Sequence, residues 1–249
     1  MQKAQLMLCL CLGYNNTMME DQFSPVYWLQ KASHKAYLVG NQSRNAILEQ
    51  PTGQQDIDIA TSAKLAQVNR LLFKHQIVPT RADVKFGVVA FIWQDTDYEI
   101  TTFRQDIYDP QFNHIRRTPV EIIFHKDIKA DASRRDFTIN AIYWNPKHNN
   151  FLDPVKGIKD LKNKTLRFIG DPEVRIKEDP LRVLRAIRFK HSLDLKYSPT
   201  TLKALLKWGK LVHKLQPSLL KKEFNKIQNL SNYQDAKRDM QKMGIVLRT

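Results

Sequence analysis

The sequence predicts an α+β fold, with short strands and helices mixed as far as about residue 165 and helices alone beyond it. Three observations carry this. The run Gln54-Gln55-Asp56-Ile57-Asp58-Ile59-Ala60-Thr61 alternates acid and isoleucine with the two-residue period of a β-strand. After the turn Gly170-Asp171-Pro172 the apolar residues recur at helical spacing instead. Residues 181–249 hold 16 Lys or Arg against 4 Asp or Glu, an excess of 12 within a whole-chain net charge of +15.

On the strand, Asp56 and Asp58 share one face, and Ile57 and Ile59 pack behind them. Two carboxylates on one rigid face repel unless a cation lies between them, and hard oxygen ligands with open positions suit Mg²⁺. A solvated strand edge is the plain alternative for an isolated Asp-x-Asp. The lopsided basic charge points to a polyanionic partner, since it is what a surface that neutralises phosphates requires.

The 249 residues, 42% hydrophobic and 26% charged, suffice for one large domain or two small ones. The only cysteines, Cys9 and Cys11, can neither staple a fold nor supply a four-ligand zinc site, so a reducing cytoplasm is expected. Residues 6–12 form a short apolar run after Lys3 but lack the small residues of a signal cleavage site. No later stretch has the length to cross a bilayer, so no membrane partner is expected, and residues 1–30 read as a loosely packed extension.

In chain order, residues 35–39 read as a strand stopping at Gly40, and Ser43-Arg44-Asn45-Ala46-Ile47-Leu48 as the start of a helix. A glycine there lets backbone N–H groups approach a phosphate, with Ser43 adding a hydroxyl and Arg44 a charge; a simple turn is the alternative. Leu65, Val68, Leu71 and Leu72 share a helical face. Residues 86–93 and 98–104 read as a hairpin turning at 94–97, which puts Glu99 on a strand where it can complete a carboxylate triad or merely face water. Residues 105–117 form a polar, aromatic loop ending in Arg116 and Arg117. Arg134-Arg135-Asp136 precedes residues 137–144, read as a further strand. Forked guanidinium donors suit a triphosphate and a carboxylate suits a ribose hydroxyl, a surface salt bridge being the alternative.

Glu178-Asp179-Pro180-Leu181-Arg182 opens the basic segment. Asp followed by Pro is a helix start, so Asp179 either caps a helix or works beside Arg182, three residues on. Such an acceptor beside donors matches the amino group and ring nitrogen of cytosine and adenine and mismatches uracil and guanine. Arg182, Arg185 and Arg188 make a basic stripe opposite Leu181, Leu184 and Ile187. A second helix from Ser198-Pro199 places Leu202, Leu205, Leu206 and Val212 inward and Lys203, Lys207, Lys210 and Lys214 outward, with Trp208 read as core. Leu219, Leu220, Phe224, Ile227 and Leu230 carry a third.

Five ordered motifs resemble the class II tRNA nucleotidyltransferases, the CCA-adding enzymes, and their relatives the bacterial poly(A) polymerases. They are Ala36-Tyr37-Leu38-Val39-Gly40, Asp56-Ile57-Asp58-Ile59-Ala60-Thr61, Tyr98-Glu99-Ile100-Thr101-Thr102-Phe103-Arg104, Arg134-Arg135-Asp136-Phe137-Thr138-Ile139-Asn140-Ala141 and Glu178-Asp179-Pro180-Leu181-Arg182. The likeness covers residues 35–189 and is nearest the Gram-positive bacterial form. It implies a nucleotidyltransferase head on a small mixed β-sheet over residues 31–165, followed by an all-α neck and start of body over 166–249.

The resemblance further implies CCA addition to the tRNA 3′ end from CTP and ATP. Asp56 and Asp58 would bind two Mg²⁺ ions, with Glu99 the third catalytic carboxylate. Gly40, Ser43, Arg44, Arg134, Arg135, Asp136 and Asn140 would contact the nucleotide's triphosphate and ribose. Asp179 and Arg182, backed by Arg185 and Arg188, would select its base. Poly(A) synthesis, partial addition and a catalytically weak RNA-binding paralogue are the alternatives that the same motifs allow.

Three departures stand out. Asn41 replaces a second glycine and Asn45 an acid in the first motif, Gln54-Gln55 looks inserted, and Arg81-Ala82-Asp83-Val84 is irregular where the family has a tighter glycine-containing turn. Family members also continue into body and tail regions, so RNA is expected to be held here with less protein or with help.

Overall fold

The structure, a computed structural model, describes residues 22–50, 56–109 and 117–246. The chain forms two compact units, the first from the described residues of Met1–Gln105, Ile122–Arg134 and Asn140–Ile158, the second from those of Asp106–Glu121, Arg135–Ile139 and Lys159–Thr249.

In the first unit, α1 (Ser24–Lys31) leads into β1 (Ala36–Leu38), which turns at Gly40 into α2 (Asn41–Leu48). Then come β2 (Ile57–Thr61), α3 (Leu65–Lys74), β3 (Arg81–Asp83), β4 (Val88–Trp93) and β5 (Thr96–Thr102). A separate ribbon of β6 (Arg104–Ile107) and β7 (Glu121–Phe124) precedes α4 (Ile128–Arg134), β8 (Tyr143–Asn145) and β9 (Asn150–Leu152). The main sheet has seven strands in the order β3-β4-β5-β2-β1-β8-β9. It is mixed: β2 and β5 run parallel, and the other neighbours antiparallel.

The period-two pattern decides which face is covered. Ile57 and Ile59 are buried with Leu38, Val89, Phe91, Tyr98 and Ile100, against Val26 and Leu29 of α1 and Val68 and Leu72 of α3. Full burial of each such side chain is worth about 1.5–3 kcal/mol. A one-residue slip of β2 would put both isoleucines in water and both acids in this core, so the register is strongly set. The β4–β5 hairpin turns where expected, at Gln94 and Asp95, both with positive φ, the backbone a two-residue hairpin turn needs.

In the second unit, after α5 (Gly157–Lys162), the short β10 (Thr165–Leu166) and β11 (Lys196–Tyr197) pair in parallel. The rest is helical: α6 (Pro172–Glu178), α7 (Leu181–Ser192), α8 (Pro199–Trp208), a 3₁₀ segment (Gly209–Lys214), α9 (Pro217–Gln228) and α10 (Tyr233–Lys242). The starts follow the sequence signals: Asp171 accepts from the Glu173 and Val174 N–H groups, and Ser198 from that of Thr201, each before a proline. Val183, Leu184, Ala186 and Ile187 of α7 are buried at its centre.

Several expectations change. Residues 22–30 are no loose extension: Phe23, Val26 and Leu29 are buried in the core of the first unit. The expected strand over 137–144 is a 3₁₀ turn at Thr138–Asn140 with a strand only at Tyr143–Asn145. A continuous apolar run carries no period, and here Thr138 is drawn aside by a hydrogen bond to Asp160. Leu202 and Leu206 point outward, 40% and 49% exposed, because α8 buries Thr201, Ala204 and Leu205 instead. Trp208 is half-buried, its Nε1–H donating to Glu173 with Lys177 and Lys207 over its ring. Cys9, Cys11, the 6–12 run, Gln54, Gln55 and Arg116 lie outside the described residues.

Candidate active site

The acidic strand is shorter than expected and carries one of the two aspartates. Asp58 stands half-buried on β2, and Asp56 is exposed just before that strand. The parallel pairing sets Asp58 directly beside Glu99 on β5, so the two side chains project from the same side of the sheet. On that same side Glu99 Oε2 accepts from Arg81 of β3 at 2.5 Å.

Gly40 explains why the chain can close over this point. Its φ of 69° is one that side chains rarely adopt, and a Cβ there would lie 2.9 Å from Oδ2 of Asp58. The turn thus seats an Asp58 oxygen against the start of α2, where the helix dipole favours negative charge. Ser43 is wholly buried and donates its hydroxyl to the Leu38 carbonyl at 2.8 Å, so this hydroxyl ties strand to helix and is not offered to a phosphate. Arg44 is also buried, with Nη1 2.5 Å from Oδ1 of Asn140. Arg134, at the end of α4, pairs at 2.6 Å with the fully buried Asp131, which also accepts from the Tyr143 hydroxyl.

The group that the fold implies, Mg²⁺, fits two of these residues. Asp56 and Asp58 are hard oxygen donors two positions apart, Asp58 on β2 and Asp56 just before it, and Gly40 brings no side chain against the Asp58 carboxylate. Among the described residues no three His, Cys, Asp or Glu side chains converge closely enough to hold an ion, because Glu99 is held by Arg81.

The second unit gathers the remaining candidates into a paired network. Asp136 accepts from Arg185 through Oδ2, with contacts at 2.7 and 2.5 Å, and from the Phe137 N–H through Oδ1. Burial pulls the Arg185 guanidinium down, but Asp136 outweighs it and holds the group above its ordinary value. Arg135 offers its carbonyl to Arg175 Nη2. Arg182 is buried, donating Nη1 to Glu178 and to the Arg175 carbonyl, and Arg175 donates to the same Glu178 oxygen. Burial, helped by Arg182 alongside, lowers Arg175. Asp179 accepts from the Leu181 N–H and from Arg117, both through Oδ1, so it does support the start of α7. Arg188 lies apart from that cluster, 2.6 Å from the buried Glu223 of α9.

The residues missed in the sequence are the partners. Arg175 precedes Glu178 by three positions, and Glu223 is a lone acid among the lysines of α9, a pattern that marks a buried counter-charge. Gln42 gave no signal: it is fully buried at the start of α2, and neither of its amide atoms has a partner.

A mixed sheet that sets Asp58 beside Glu99, with a glycine turn against Asp58, is built as a nucleotidyltransferase-type head. The family model of the poly A polymerase head domain matches residues 36–167, more than half of the chain, and the protein belongs to that family, which the class II CCA-adding enzymes share. The CCA-adding enzyme of Anoxybacillus flavithermus is 35% identical over 213 residues, 84% of this chain and 51% of that protein. That of Bacillus subtilis is 36% identical over 199 residues, 80% and 47%. The solved Bacillus stearothermophilus CCA-adding enzyme in complex with CTP matches with a TM-score of 0.76 at 27% identity, covering 89% of this chain and 51% of that one. The chain spans about half the length of the curated relatives it matches.

Proposed function

We propose that this chain adds C and A nucleotides to the 3′ end of tRNA, using CTP and ATP and releasing pyrophosphate. The observation that carries the reading is the Asp58–Glu99 register on the face of the sheet opposite Ile57 and Ile59, with Gly40 against Asp58. The relatives' own names, and the CTP bound to the Bacillus stearothermophilus enzyme, support the choice of substrate.

In the reaction the tRNA 3′-hydroxyl oxygen attacks the α-phosphorus, the bond to the β-phosphate oxygen breaks, and pyrophosphate leaves with the charge. Asp56 and Asp58 would hold the Mg²⁺ ions, which when bound acidify the hydroxyl and neutralise the leaving group. Gly40 shapes the approach to Asp58, and Arg44 with Asn140 supports it from behind. In the second unit, Asp179 has Oδ2 left over from the bonds that fix Oδ1, and that oxygen accepts the amino group which cytosine and adenine share. Arg182, locked by Glu178, supplies the donor. Arg185 holds Asp136, and Arg134 and Arg135 add charge for the triphosphate.

The test is incorporation of each labelled nucleotide into tRNA lacking its 3′ end, with Mg²⁺. Addition of C and A only is expected. Equal incorporation of U and G would overturn the reading, long tails from ATP alone would replace it with poly(A) synthesis, and salt-sensitive RNA binding without incorporation would indicate a paralogue that no longer turns over.

A further inference from the structure

Arg81 belongs to the segment read from the sequence as irregular, and the sheet register gives that segment a location. Arg81 pairs with Ala90, Ala90 with Glu99, and Glu99 with Asp58, so four strands place these residues in one lateral row on one face. Two strand spacings separate Arg81 from Glu99, about 10 Å at the backbone. The long arginine passes over the small Ala90 and closes that gap to an ion pair of 2.5 Å. Glu99 therefore stands between Asp58 on one side and a guanidinium on the other, and its Oε2 is on the guanidinium.

We propose that Arg81 is a positioning residue that competes with the metal for Glu99, setting the cation affinity of the site. The inference rests on the cation site of the proposed function. With Arg81 in place, Glu99 Oε2 is engaged by the guanidinium, and Asp56 and Asp58 are left to bind the ion. Removing the guanidinium releases a third carboxylate toward Asp58 and deletes a positive charge from the same row. Both changes favour a divalent cation. The pair is largely solvent-exposed, 63% at Arg81 and 39% at Glu99, so it is exchangeable rather than locked.

The probe is Mn²⁺ alone, titrated into the full chain and followed by the electron paramagnetic resonance signal of the unbound ion, with circular dichroism to verify folding. Arg81→Gln is expected to bind Mn²⁺ about three- to tenfold more tightly than the parent, the size expected of one charge acting across a few ångströms of wet surface. Arg81→Lys, which keeps the charge, should stay within about twofold of the parent. In a Glu99→Gln background the gain from Arg81→Gln should fall by about half or more, because only the bare charge then disappears. Unchanged or weaker binding in Arg81→Gln would overturn the assignment. Parent binding that is absent or indifferent to Asp58→Ala would overturn the cation site itself, so the two failures are distinguishable.

Discussion

The acidic face of the sheet and the helical network of the second unit use the same residue types in opposite ways. On the sheet, Asp56, Asp58 and Glu99 are exposed or half-buried, and Glu99 has one exposed partner, Arg81. In the helical unit, Asp136, Arg175, Arg182 and Glu223 are each at least nine-tenths buried, and each is tied to an opposite charge. A carboxylate that reaches water costs the fold less and can exchange its contacts for a cation. A buried one has to be matched, and its chemistry is then the holding of its partner. Substitutions in the two regions should therefore separate activity from stability.

The largest effect belongs to the sheet. Asp58→Ala should lower nucleotide incorporation about a thousandfold, since loss of a metal ligand removes several kcal/mol of transition-state stabilisation at about 1.4 kcal/mol per tenfold. Its unfolding midpoint should shift far less than that of Glu178→Ala, by about 1 kcal/mol equivalent or less, because Asp58 lies outside the apolar core. Single-turnover incorporation and urea unfolding on the same preparation check both halves, and a large loss of stability would erase the contrast.

Glu178→Ala should do the reverse. It leaves Arg175 and Arg182 buried against each other without the oxygen that both use, at a cost of about 3–5 kcal/mol. Urea unfolding should register that loss even without nucleotide. Nucleotide selectivity should suffer as well, since Arg182 is released. An unchanged midpoint would show that the network is not the stabilising element its burial indicates.

The same contrast explains how much was legible in the sequence. Alternation along a strand has a period of two, so Ile57 and Ile59 declare the covered side and Asp58 the other at once, and the hairpin that delivers Glu99 follows from turn chemistry. Helical residues reveal a stripe but not its partner. Arg188 was legible as basic, whereas its match is Glu223, thirty-five positions along the chain and visible only once α7 and α9 pack. Ser43 misled because a hydroxyl after a glycine turn serves a phosphate or a backbone carbonyl equally well, and burial decided for the carbonyl. Leu202 and Leu206 misled because a stripe of leucines on a short helix is wider than the face that α8 covers.

The smallest effect refines the comparison within the second unit, by setting a half-buried carboxylate beside an exposed one. Burial raises the Asp239 carboxyl, but hydrogen bonds from Lys190 and His191 outweigh it, so the group sits below the ordinary aspartate range. Asp194 is also lowered, by Lys164, yet both members of that pair are exposed. A carboxyl held down on folding stabilises the ionised form. Its contribution is complete above the unfolded value of about 3.9 and is lost as the pH falls through the lower folded value. Between about pH 5 and pH 3 the parent should therefore lose more stability than Asp239→Asn, whose amide has no proton to take up. Asp194→Asn should follow the parent closely, because solvent screens an exposed pair. Urea midpoints across that range decide it. Matching acid limbs for the parent and Asp239→Asn would mean that burial of Asp239 cancels what Lys190 and His191 give.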